Sequence, residues 1–397
     1  MRILKQEYPN RPMDLIRRDL NNWIPLLLRV WRKHRRTQSG PTDRLTTAEA
    51  FEVTQGVRRL SQGLTGERDL AGERYLSDPI LLGAYLLYFW PVSYAQARHA
   101  LRDLDLNSIN GRPGAVAPTV LDLGSGPGPL GFACFDLGAH SVTFVDRSRA
   151  ATALAGELAQ AAGYSAVLYH WDPLRSNTLP QAKFDLITAG HVLNELWSGH
   201  PERIQRRAEL VAKWFERLKP SGYLFLQEPA LTSTSRDLLA VRDRLLEQGH
   251  TLVSPCLWQR ACPALAKPED TCHDEFAWSP PPLILDIIRR AGFQKKTLKM
   301  TEVLFPAAPR SAAAPDLELF RIVSEPMISK NQRIRLLGCG PAGRLSLALK
   351  PDLATDDNRC FLTLRRGDLI SVRNAKPREG GGLTLEPGSR VEILRRA

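Results

Sequence analysis

Three of the chain's six cysteines fall within seventeen residues, in the segment Cys256-Leu-Trp-Gln-Arg-Ala-Cys262-Pro-Ala-Leu-Ala-Lys-Pro-Glu-Asp-Thr-Cys272. Thiolates bind soft metals, and a thiol cluster in a reducing compartment points to metal before it points to disulfides. The pattern C-x5-C-x9-C lacks the tight C-x2–4-C pair of zinc fingers and ribbons, so zinc stands as the alternative metal. A [4Fe–4S] centre needs a fourth ligand beside three thiolates. Cys339, in Leu-Leu-Gly-Cys339-Gly-Pro-Ala-Gly, lies in a glycine turn and is the first candidate; Cys360 and His273 are reserves. Cys134, in an apolar stretch, reads as core.

A second chemical signal is Val120-Leu-Asp122-Leu-Gly124-Ser125-Gly126-Pro-Gly128-Pro-Leu-Gly131, an apolar strand running into a glycine turn and then a helix. Glycines let the backbone take positive φ and approach a ligand with no Cβ in the way. A dinucleotide fold wants G-x-G-x-x-G, but Pro129 stands where its third glycine belongs. The order D-x-G-x-G-x-G instead resembles motif I of class I S-adenosylmethionine-dependent methyltransferases. That resemblance implies cofactor contacts from Asp122, Gly124, Ser125, Gly126 and Gly128 in the turn. It implies ribose recognition by Asp146, which ends the second strand, and adenine contact from Asp172 after the third. His191-Val-Leu-Asn194-Glu195-Leu follows the fourth strand at the edge of the methyl-donor pocket. Asn194 is placed with the cofactor, and Asn194, Glu195, Glu228 and Pro229 line the pocket of an active enzyme. The (N/D/S)PP(Y/F) motif of amino-group nucleic-acid methyltransferases is absent, and so is the cysteine nucleophile of cytosine-C5 enzymes. No catalytic base stands out.

Elements that position these residues follow from hydrophobic periodicity. Residues 1–110 read as a helical, basic N-terminal region. Leu20, Trp23, Leu27, Val30 and Trp31 recur at helical spacing, and Arg29, Arg32, Lys33, Arg35 and Arg36 supply a basic side that phosphates would suit. Residues 37–47 read as a loop, and 81–104 as a further helix whose Tyr85, Tyr88, Phe89 and Trp90 belong to the core. Residues 111–325 alternate strands (120–123, 141–145, 166–169, 184–188, 223–227, with 294–301 and 317–323 at the end) and helices. Such alternation predicts an α/β sheet covered on both faces, here carrying the cysteine-rich insertion 252–278. Residues 326–397 read as a small antiparallel β module with a barrel-like form in view. Its strands are 333–337, 345–349, 361–364, 369–372 and 391–394, with a loop at 378–382.

The 397 residues suffice for more than one core. Their 43% hydrophobic and 24% charged content is that of a globular protein, and no apolar run is long enough to span a bilayer. No signal-peptide pattern opens the chain, and Glu7, Asp14 and Asp19 argue against an Arg-rich mitochondrial presequence. The net charge of +12 is uneven. Residues 1–36 hold ten Lys/Arg against three Asp/Glu and residues 326–397 fourteen against seven, while the middle holds thirty against thirty-two. A neutral centre with two basic ends suits a polyanion partner.

VLDLGSGPGP, HVLNEL, QEPALTSTSRDLLAVRDRLL, the SPC…CP…TCHDEF cluster and LLGCGPAGRLSLAL…RRGDLISV, in that order across most of residues 80–375, resemble the methyltransferase-like assembly factors of the small ribosomal subunit, found in mitochondria and many bacteria. The resemblance implies a class I S-adenosylmethionine fold, an iron–sulfur cluster on Cys256, Cys262, Cys272 and Cys339, and contact with small-subunit rRNA. It implies an assembly role, or rRNA methyl transfer if the chain is active; a small-molecule methyltransferase with a zinc clip is the weaker alternative. The expected chain is a monomer with no membrane contact, in a bacterial cytoplasm or alternatively the mitochondrial matrix. LWQRA between Cys256 and Cys262 departs from the more polar His/Gly-rich stretch of the family, and the last gap is long.

Overall fold

The computed structural model describes residues 11–36, 40–63, 76, 78–104, 106, 118–175, 178–309, 318–379 and 381–397. The expected boundary at 110/111, part of the 37–47 loop, Leu317 of the last α/β strand and Gly380 of the 378–382 loop lie outside the described residues. The chain forms two compact units, Met1–Pro180 with Ala277–Leu298, and Gln181–Phe276 with Lys299–Ala397.

In the first unit, α1 (Arg11–His34) buries Leu20, Trp23, Leu27, Val30 and Trp31, the stripe its spacing predicts. Its basic side is not a free phosphate surface. Arg32 is buried, donating to Glu49 from Nε at 2.8 Å and Nη2 at 2.9 Å and to the Pro41 and Arg44 carbonyls. Arg35 pairs with Glu52 at 2.6 Å, and Lys33 with Glu157 at 3.3 Å. Arg29 and Arg36 are the two of the five that stay exposed with no acidic partner among the described residues. Glu49 also closes a capping box with Thr46 at the start of α2 (Thr47–Ser61), so one carboxylate joins two helices.

The stretch expected as one helix over 81–104 is broken. α3 (Pro79–Ala84) passes through a π turn, Tyr85–Phe89, into α4 (Trp90–Ala100). Pro91 has no N–H for the Leu87 carbonyl and its ring crowds that carbonyl, so the ladder widens by one residue. Tyr88 and Trp90 are buried, as expected of core aromatics. Three parallel strands follow, β1 (Thr119–Leu123), β2 (Ser141–Asp146) and β3 (Ser165–His170), in the order β3-β2-β1. They are connected through α5 (Pro129–Phe135) and α6 (Arg149–Ala162). The Asp136 carboxylate fastens this unit: it accepts from the Trp23 indole at 2.7 Å, the Tyr164 hydroxyl at 2.9 Å and the Tyr94 hydroxyl.

The second unit contains β4 (Phe184–Gly190), α7 (Arg203–Phe215), β5 (Leu218–Pro229), α8 (Thr232–Glu247) and β6 (Asp274–Ala277). The cysteine segment between α8 and β6 is irregular, apart from a 3-10 turn at Pro263–Leu265. The chain then returns to the first unit for α9 (Pro282–Ala291), whose Arg290 carbonyl accepts from Arg58 at 2.7 Å. β7 (Thr297–Pro306) pairs antiparallel with β5, which runs parallel to β4, giving the order β4-β5-β7-β6. The expected α/β class, a sheet with flanking helices, is present.

The C-terminal sheet is built from β8 (Leu319–Ile322), β9 (Met327–Ile328), β10 (Ile334–Gly340), β11 (Gly343–Leu349), β12 (Leu369–Arg373), β13 (Lys376–Pro377), β14 (Leu383–Thr384) and β15 (Arg390–Arg395). Its order is β13-β14-β11-β10-β8-β12-β15, with β9 on β10. Among the described strands it ends at β13 and β15 without closing, and β11 pairs parallel with β14, so it is neither a barrel nor wholly antiparallel. The strand expected at 361–364 is instead a 3-10 turn, Arg359–Thr363, that lays Phe361 into the module's core beside Phe320, Leu336, Leu347 and Ile370.

Candidate functional site

The glycine turn lies in the first unit. Gly124, Gly126 and Gly128 all take left-handed φ, at 61°, 55° and 83°, which is why the turn is written in glycine. The Asp146 carboxylate braces it, accepting from Gly126 N at 2.8 Å through one oxygen and from Ser148 N at 2.7 Å through the other. Burial pushes the Asp146 carboxyl above its ordinary range, against the pull of those two amides. Each oxygen keeps further lone-pair capacity for a ligand hydroxyl. Ser125 N donates to the Val145 carbonyl at 3.0 Å. Asp122 is buried and accepts from Gly131 N at 3.0 Å, tying β1 to α5. Asp172, half-buried after β3, caps its own loop through Leu174 N at 3.0 Å and sits 3.5 Å from Arg175.

Asn194, Glu195 and Glu228 belong to the second unit. Glu228, 2% exposed at the end of β5, accepts from Leu193 N at 2.8 Å, Asn194 N at 3.2 Å and Asn194 Nδ2 at 2.6 Å. Burial pushes its carboxyl up to about 7 in spite of those donors. Arg207, itself buried, donates to the Leu196 and Asn194 carbonyls and pairs with Asp237 at 2.7 Å. Glu228 and Asn194 are thus brought together as the brace of the loop after β4, while Glu195 is exposed. His191 starts that loop at a left-handed φ of 62°, with its Nε2 3.3 Å from Gln227 Nε2; burial pulls its imidazole down to about 4.

Cys256, Cys262, Cys272 and Cys339 all belong to the second unit. Strand alternation puts Leu336 and Leu347 into the β module's core and turns Cys339 to the opposite face, where its cross-strand neighbours are Arg344 and Arg321. Arg321 Nε donates to the Pro255 carbonyl at 2.8 Å, one residue before Cys256. Arg344 pairs with Asp270 at 2.6 Å, two residues before Cys272. From α8, Arg242 reaches the carbonyls of Trp258 and Arg260, and its neighbour Asp243 accepts from Cys262 N at 2.8 Å. Arg236 holds the Lys267 and Asp270 carbonyls at 2.7 and 2.6 Å. Burial raises all four thiols, Cys262 to about 11 and Cys339 to about 12. For Cys262, Cys272 and Cys339 the repulsion of neighbouring cysteines comes next, so the four are electrostatic neighbours.

All six cysteines are free thiols. Among the described residues no three His, Cys, Asp or Glu side chains are spaced to hold a metal ion, so neither a zinc nor an iron–sulfur site is displayed. The chemistry of the donors nevertheless fits a thiophilic centre. The four half-buried thiols would repel one another as thiolates, and both ring nitrogens of His273, beside Cys272, are buried with no hydrogen-bond partner among the described residues. Of the reserves, Cys360 donates to the Val391 carbonyl at 3.1 Å; Cys134, expected as core, is fully buried.

Sequence reasoning missed the arginines that hold the cysteine segment. One signal was present: Arg242 shares the i, i+4, i+7 register of Leu238 and Leu245, so α8 places a charge in its own buried stripe. It also assigned Tyr85 to the core alone, although its hydroxyl lies beside Gly126.

Comparison with known proteins places the chain. No curated protein matches it. Among solved structures it is similar to a candidate RNA methyltransferase, PH1948 from Pyrococcus horikoshii, at 15% identity over 54% of this chain and 84% of that one, TM-score 0.33. It is also similar to a ribosomal protein L11 methylase from Lactobacillus delbrueckii subsp. bulgaricus (23% identity, 39% and 72% covered, TM-score 0.28). Superpositions this loose carry no argument about activity. The pattern of the family described as mitochondrial small ribosomal subunit Rsm22 matches residues 81–348, well over half of the sequence. The chain therefore belongs to the Rsm22 family.

Proposed function

We propose that this chain is an S-adenosylmethionine-binding, methyltransferase-like factor that associates with small-subunit rRNA during ribosome assembly. The observation that carries the cofactor half is the turn after β1: three left-handed glycines, with Gly126 braced by Asp146 at the end of β2. Asp146 is assigned to the ribose hydroxyls, Gly124, Ser125, Gly126 and Gly128 to the amino-acid end, Asp122 to holding α5 against the turn, and Asp172 to the adenine side. Asn194 is assigned to the cofactor as well. When bound, the cofactor supplies a methyl group on sulfonium, transferable by in-line displacement once a nucleophile is positioned. The ribosomal half rests on the family's description and on the basic excess of residues 326–397. The compartment is that of the subunit served, the mitochondrial matrix or a bacterial cytoplasm.

Cys256, Cys262, Cys272 and Cys339 are assigned as ligands of a [4Fe–4S] cluster, with zinc as the alternative. Bound there, it would clip β10 to the cysteine segment and add its binding free energy to folding. A second reading, active rRNA methylation, is favoured by His191: a left-handed, non-glycine backbone held by its surroundings is the kind of strain found at functional sites.

Calorimetric titration with S-adenosylmethionine tests the first reading. Asp146→Ala should abolish binding and leave co-sedimentation with immature small subunits intact; loss of both, or of neither, defeats it. Transfer of labelled methyl to those subunits decides for the second. Broad visible absorbance of anaerobically purified protein, lost in Cys339→Ser, identifies iron–sulfur; a colourless protein carrying zinc assigns the alternative.

A further inference from the structure

The glycines of the turn are not equivalent. A Cβ added to Gly128 would meet Phe144 at 2.5 Å, and one added to Gly131 would meet the same ring at 2.4 Å, so these two are glycine because the core fills their space. Among the described residues, a Cβ on Gly126 would meet a single heavy atom within 4 Å, the Tyr85 hydroxyl at 3.5 Å. Among these residues the space beside Gly126 is therefore open, and a phenol forms its far wall.

We propose that Tyr85 recognises the amino-acid end of the cofactor, its hydroxyl hydrogen-bonding the carboxylate or ammonium group that lies beside Gly126. This rests on the cofactor reading above. A ligand atom occupying that space is within bonding reach of the phenol oxygen, which can donate to a carboxylate or accept from an ammonium. Tyr85 is placed by the π turn. Trp90 N–H bonds back to the Tyr85 carbonyl, five residues earlier, and the Trp90 indole donates to the Pro127 carbonyl at 3.1 Å. The element that carries the phenol is thus fastened to the turn it faces. Phe89, stacked on the Tyr85 ring at 6.4 Å, backs it from the side. Single-turn π features gather at functional sites because they shift one side chain out of helical register.

The test is calorimetric titration of the full chain with S-adenosylhomocysteine, and with methylthioadenosine, which keeps the nucleoside and lacks the amino-acid end. Tyr85→Phe should weaken S-adenosylhomocysteine about 3- to 10-fold, the loss of one hydrogen bond, and leave methylthioadenosine unchanged. Equal loss for both ligands would show that Tyr85 only shapes the fold, and no loss for either would show that its hydroxyl is idle; both overturn the proposal. Wild type that binds neither ligand overturns the cofactor reading and this inference with it, a result distinct from the other two.

Discussion

The glycine turn and the cysteine segment solve one problem by opposite means. Around Gly124–Gly128 the backbone itself is shaped by the absence of side chains, and one carboxylate braces it. Between Cys256 and Cys272 the backbone has almost no regular structure, and long side chains from elsewhere hold its carbonyls, Arg236 and Arg242 from α8, while Arg321 from β8 holds the Pro255 carbonyl just before it. A site made by leaving atoms out should fail when an atom is added. A site held by reaching arginines should fail when one is removed.

The largest expected effect is on the arginine side. Arg242 is 1% exposed, and Arg242→Ala removes the cationic partner of Asp243 and the donors to two carbonyls. Chemical denaturation should show a loss of about 3–5 kcal/mol, and, on the cluster assignment proposed above, metal content should fall with it. A smaller change would mean that the segment holds its shape without α8. On the glycine side, Gly128→Ala combines a left-handed backbone with overlap onto Phe144. We expect a loss of about 2–4 kcal/mol in thermal melts; a neutral result would break the contrast from the other end.

The loop after β4 sharpens the comparison because it mixes both devices, a strained His191 and a buried Glu228. Glu228, raised to about 7 in the fold, favours the protonated native state, so its contribution is full below pH 4.5 and is lost as pH rises towards 7. His191, lowered to about 4, acts in the opposite sense: the native state loses stability as pH falls from 6.5 towards 4. Glu228→Gln should abolish the alkaline-side loss, at most about 3 kcal/mol, and leave the acid-side loss in place, as read by unfolding at a series of pH values. The smallest effect is expected at Lys33, whose partner Glu157 is reached across solvent. Lys33→Ala should change stability by less than about 0.5 kcal/mol.

Legibility in the sequence followed the range of the causes. β1 and β2 lie within a residue of their expected bounds, because apolar runs ending in glycine or aspartate announce themselves locally. Cys339 was a candidate partner of the trio on its glycine turn alone. Arg32 was misjudged because its partner Glu49 lies seventeen residues away across a turn, and nothing local separates a buried arginine from a solvated one. Residues 361–364 misled through composition. They are four residues of strand-like character, but Asn358 anchors the segment, accepting from Thr355 N at 2.9 Å and donating to the Glu386 carbonyl at 2.9 Å, and winds it into a turn. The π turn was hidden for a similar reason, since Pro91 is permitted early in a helix and only the residues before it show the cost.

The placement of Cys339 gives β10 a parity to keep. Gly338 and Gly340 face Phe320, so both neighbours of the cysteine look inward while it looks outward. Insertion or deletion of one residue between Ile334 and Cys339 would exchange the two sides of everything downstream to the hairpin, thrusting sulfur among aromatic rings and presenting a bare glycine to the other three thiols. A one-residue slip changes all of these contacts at once, so length polymorphism should be confined to the connecting turns.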